Sequence, residues 1–109
     1  MNFKEYQQKA NTFAEYEETH YPFLGLAEEV GEFLGIAAKR ARGDNLIERY
    51  GSMDKLDGAI LKEAGDILWM LAECLTSMGL SLQEVAEANI AKLTSRKERG
   101  VIKGAGDDR

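Results

Sequence analysis

Apolar residues recur every three or four positions along nearly the whole chain, a period that sorts them onto faces of helices rather than strands. Phe3, Tyr6, Ala10 and Phe13 begin the pattern. Phe23, Leu26, Ala27, Val30, Phe33, Leu34 and Ala37 form a second line, and Leu56, Ile60, Ile67, Leu71, Cys74 and Met78 a third. Leu82, Val85, Ala86 and Leu93 make a fourth. The chain has one proline, and its eleven glycines fall mostly between or at the ends of these segments. The first helix is expected from Phe3 to about Glu17, interrupted by His20-Tyr21-Pro22, with Pro22 suited to the first turn of the second. That second helix runs to about Arg42, where Gly43-Asp44 stops it. Asp44 to Met53 reads as a polar connection with at most one short turn at Leu46-Ile47. A third helix runs from near Asp54 to about Met78, with Gly79 as its stop. Ser81-Leu82-Gln83-Glu84 is a capping-box sequence opening a fourth, which ends near Arg99.

The expected fold is therefore all-α: one helical domain over residues 1–99, a four-helix bundle with short loops, followed by a Gly-rich charged tail over 100–109. That tail is expected to be disordered or ordered by a ligand. With 109 residues the chain suits a single core. Ile67 to Ala72 is apolar nearly all round, more than one amphipathic stripe requires. This marks a central helix or an interface, and favours completion of the bundle by a homo-oligomer.

A formal charge of −5 repels a nucleic-acid backbone, so no nucleic-acid partner is expected. Cys74 is alone, suits a reducing compartment and sits among apolar neighbours as a buried residue. No apolar run approaches the ~20 residues of a membrane span, and Met1 to Tyr6 lacks a signal-peptide stretch. The expected location is cytoplasmic, without membrane contact.

The chemistry lies in the carboxylates. Glu28, Glu29 and Glu32 share one region of the second helix, while Glu63 and Asp66 border the apolar line of the third. A carboxylate beside a core stripe is costly unless a base or a cation pairs with it, and Lys55 and Lys62 project elsewhere on the helix. If the two helices are antiparallel neighbours, Glu29, Glu32, Glu63 and Asp66 form one oxygen cluster. Such a cluster stays ionised only around positive charge. Hard oxygen ligands favour magnesium or manganese over zinc. Gly25 and Gly35, a turn to either side, would let another backbone approach. Read separately, each acidic motif is also consistent with a solvated helix surface.

Leu26-Ala27-Glu28-Glu29-Val30-Gly31-Glu32 followed by Glu63-Ala64-Gly65-Asp66-Ile67-Leu68-Trp69 resembles the MazG-like all-alpha nucleotide pyrophosphohydrolases. The resemblance extends to Tyr21-Pro22 before and to Ser81 through Leu93 after, and the tail resembles that of short phage and bacterial members. It implies magnesium at Glu29, Glu32, Glu63 and Asp66, with Glu28 as an additional or outer ligand. It also implies hydrolysis of a nucleoside triphosphate to monophosphate and pyrophosphate, by a homodimer or homotetramer. Asn89 and Lys92 match nucleotide-associated positions. The stretch between Glu32 and Glu63 is long for the family. Glu28 or Glu29 is the expected general base, and Lys92, Arg96, Lys103 and Arg109 are candidate phosphate donors. Lys39, Arg40 and Arg42 are a second basic group, more simply read as favourable charge at a helix C-terminus. His20 reads as a loop residue, Trp69 as core or interface, and Asn89 as lying on an apolar stripe. Rival readings are a helical partner-binding module and a related phosphate hydrolase of the dUTP or phosphoribosyl type.

Overall fold

The computed structural model describes residues 1–109 and contains five helices and no strand. They are α1 (Phe3–Asn11), α2 (Tyr21–Ala41), α3 (Leu46–Tyr50), α4 (Met53–Ser77) and α5 (Leu82–Glu98). No helix is long and apolar enough to cross a membrane. The all-α expectation holds, with two changes of detail. The connection after α2 carries a complete short helix, capped by the Asn45 side chain, which accepts from the Glu48 amide at 3.2 Å. And α1 stops at Asn11 instead of continuing to Glu17.

The early stop has a tertiary cause. The Thr12 hydroxyl donates to the Lys9 carbonyl at 2.6 Å, and the chain then turns so that the Tyr16 hydroxyl donates to the Glu73 carboxylate at 2.7 Å. Glu73 is only 1% exposed, and a buried carboxylate without a donor is far more costly than a few lost helical residues. Tyr16 also rests on Tyr21, ring centroids 5.2 Å apart.

α4 is the central element, packed against α1, α2 and α3. α2 runs antiparallel along it: Gly25 meets Met70 at one end, and Ile36 packs with Leu56 at the other. A Cβ on Gly25 would sit 2.7 Å from the Met70 sulfur, so what Gly25 makes room for is a side chain of α4, not the backbone expected there; Gly35 faces open space. Two apolar clusters hold the frame. One joins Ile36, Leu46 and Leu56, and the other joins Ala72, Leu75 and Leu82. Glu63 and Asp66 lie on the stretch of α4 between them. Cys74 is buried, as its neighbours imply.

The turn into α5 is fastened by Gln7 of α1, whose amide donates to the Leu80 carbonyl at 2.9 Å and accepts from the Leu82 amide at 2.8 Å. Ser81 caps α5 by accepting from the Glu84 amide at 3.3 Å. Beyond Leu82 the helix leaves the body: Val85, Ile90 and Leu93 are exposed, and so is Asn89, which therefore occupies no core position within one chain. The single chain thus does not close a four-helix bundle. Its radius of gyration is 17.1 Å, against about 13 Å for a compact chain of this length.

Candidate metal centre

Because α2 and α4 are antiparallel, acids spaced three apart on each helix face one another. Glu29, Glu32 and Glu63 each bring one carboxylate oxygen within 4.8 Å of the other two. Asp66 lies one turn along α4, close enough for its charge to act on both Glu29 and Glu63. Glu28 is exposed on the rim and adds its charge to that around Glu29. Glu63 Oε2 is buried and has no hydrogen-bond partner.

The electrostatics follow from this crowding. Burial raises the Glu29 carboxyl above its ordinary value, and the charges of Asp66, Glu32, Glu28 and Glu63 raise it further. Burial also raises Glu63, followed by the charges of Glu32 and Asp66. Lys39 pulls the other way at Glu63. It is half-buried in the last turn of α2, two helical turns beyond Glu32. Its seven-residue spacing from Glu32 was the available signal.

This donor set fits a hard divalent cation. It offers carboxylate oxygens alone, one of them buried and unpaired, at groups whose proton affinity is raised by mutual repulsion. A cation among them would satisfy the orphaned oxygen and cancel the repulsion.

The expected substrate contacts lie elsewhere in the single chain. Lys92 Nζ is 3.7 Å from Asp107 Oδ1. Arg96, 5% exposed, donates through Nη2 to the Asp107 carbonyl at 3.0 Å and to its carboxylate at 3.3 Å. These two bases hold the Asp107 carboxyl below its usual value. Arg109 donates to the carbonyls of Val101 (3.0 Å), Ile102 (3.1 Å) and Gly106. Its own arginines hold the tail against the end of α5, and Lys103 is exposed within it. His20 is exposed at the start of α2, its Nδ1 2.9 Å from Glu18 Oε1. Trp69 is half-buried.

The pattern of the MazG nucleotide pyrophosphohydrolase domain matches residues 18–101. The chain belongs to the MazG family. The match takes in α2 through α5, and with them all the clustered acids of this MazG domain, while α1 lies before it. The chain is similar to the gene 37 protein of Mycobacterium phage L5, with 35% identity over 89 residues. These residues cover 82% of this chain and 75% of that protein. No solved structure matches it.

Proposed function

We propose that this MazG domain hydrolyses ribo- or deoxyribonucleoside triphosphates between the α- and β-phosphates, giving a monophosphate and pyrophosphate. Glu29, Glu32, Glu63 and Asp66 hold magnesium or manganese in this reading. The observation that carries it is the convergence of three carboxylates within 4.8 Å around a buried, unpaired oxygen. A bound divalent cation supplies charge neutralisation for the triphosphate and a lowered pKa for the attacking water.

The protein's own groups account for the rest. Water adds to the α-phosphorus, the bond from that phosphorus to the bridging oxygen breaks, and pyrophosphate leaves. Glu28, on the open rim beside Glu29, accepts the water proton; Glu29 is the second candidate, its raised proton affinity suited to a base. Lys92 and Lys103 are exposed donors for the phosphates and Asn89 for the sugar or base. Arg96 and Arg109 shape the tail that presents them.

No charged group of α5 or the tail is among those acting on Glu29 or Glu63 of its own chain, and α5 packs chiefly against α1. We therefore assign the completed site to a homodimer or homotetramer, in which α5 of one copy closes the bundle of another. The exposed surface of 7982 Å², against roughly 6,000 Å² for a compact monomer of this mass, supports that assembly. A cytoplasmic setting supplies the substrates and keeps Cys74 reduced.

Incubation with a panel of nucleoside triphosphates, with magnesium or with EDTA, tests the reading. Monophosphate plus pyrophosphate, lost with EDTA and in Glu32→Gln, is the expected result. Diphosphate plus orthophosphate would remove the cleavage assignment, and no turnover in a folded sample would favour a binding module.

A further inference from the structure

Beside the carboxylate cluster, where α1 crosses α4, lies an open cleft of roughly 440 Å³. Tyr6, Lys9 and Phe13 form one wall, and Gly65, Asp66 and Trp69 the other. Three aromatic rings thus line a cavity that reaches Asp66, one helical turn along α4 from the clustered Glu63. Phe13 is 58% exposed there, so core packing does not account for its position. Gly65 leaves the wall between Asp66 and Trp69 without a side chain, and a Cβ added there would meet nothing within 4 Å. Lys9 is the one cation of the cleft, its Nζ 5.6 Å from the Phe13 ring centroid. Tyr6, Lys9 and Phe13 all precede the segment that matches the family.

Resting on the proposed hydrolysis, we propose that this cleft takes the nucleobase of the substrate and selects bases with a carbonyl oxygen at the edge facing Lys9: uracil, thymine and guanine. The flat apolar walls suit a base ring, which stacks favourably on aromatic side chains. A nucleotide whose phosphates lie at the acids enters the cleft past Asp66. The Lys9 ammonium has donors and no acceptor. It pairs with the O4 of uracil or thymine or the O6 of guanine, where cytosine and adenine present an amino group, donor against donor. One charge-assisted hydrogen bond of this kind corresponds to roughly tenfold in affinity.

Trp69 is the only tryptophan, so its emission reports on the cleft directly. The test titrates the full chain, with magnesium, against the α,β-imido analogues of dUTP and dCTP, which differ at position 4 of the ring. The expected result is saturable quenching by both, with the dUTP analogue tighter by about tenfold. Lys9→Met should abolish that difference, and Phe13→Ala should weaken both analogues. Equal affinities, or a preference that Lys9→Met leaves intact, would overturn the proposal. So would the absence of quenching, as expected if a second copy covers the cleft. Turnover of dUTP is measured in parallel: quenching without turnover removes the hydrolysis and leaves the base site, while turnover without discrimination does the reverse.

Discussion

Glu29 and Glu63 bind protons more tightly in the folded chain than the ordinary value of 4.5, because burial and neighbouring acids disfavour their charged forms. Folding therefore gains from their protonation. That gain is complete below the unfolded value and is lost as pH rises through the raised native values. The metal-free chain, kept in EDTA, should melt higher at pH 5 than at pH 7.5. Glu63→Gln should reduce this dependence and melt above the wild type at pH 7.5. Magnesium should reverse the order by stabilising the wild type alone. A Glu63→Gln chain that melts lower than wild type at pH 7.5 without metal would show that the acids are not strained. Tyr16 is the opposite kind of residue, required for structure rather than opposed to it. Its hydroxyl is pushed up to about 12 by burial and by Glu73, so its contribution is full below pH 10.0 and is lost as pH rises from there through about 12. Tyr16→Phe strips Glu73 of its donor and should cost about 2 kcal/mol in urea unfolding.

α2 and α4 were legible because their acids and apolar residues obey one helical period over many turns, and the observed spans lie within a few residues of those read from it. The acidic face was legible for the same reason, since spacing within a helix fixes which side chains share a side. What spacing within one helix cannot show is the register between helices. Spacing therefore shows Lys39 in the last turn of α2 but not that its charge acts on Glu63, nor that Tyr16 reaches across to Glu73. The end of α1 was misplaced because a tertiary hydrogen bond decides it. The register itself can be tested at Gly25, against which the Met70 side chain of α4 packs. Gly25→Ala gains about 1 kcal/mol of helix propensity, but overpacking against buried Met70 costs about 1–3 kcal/mol. The net effect should be a loss of stability with weaker metal binding, read by denaturant titration and by magnesium-dependent melting. A more stable protein with unchanged metal response would mean that α2 and α4 have slack at this point.

At the scale of the molecule, α5 carries an apolar line with no partner. Val85, Ile90 and Leu93 are exposed on a helix that departs from the body, and the extents of 43 × 42 × 27 Å reflect that arm. In the assembly proposed above, these side chains form the contact between copies. Sedimentation should give an integer multiple of 12.1 kDa, and Ile90→Asp should shift the protein toward the single-chain mass with loss of turnover. A fully active monomer would place the whole site within one chain and return Lys92 and Arg96 to a purely structural role at the tail. Turnover in ¹⁸O-labelled water with magnesium, followed by ³¹P NMR of the products, tests attack at the α-phosphorus within the carboxylate cluster. The monophosphate should carry the label and the pyrophosphate none, with neither formed by Glu32→Gln. Label in the pyrophosphate, or diphosphate and orthophosphate as products, would contradict it.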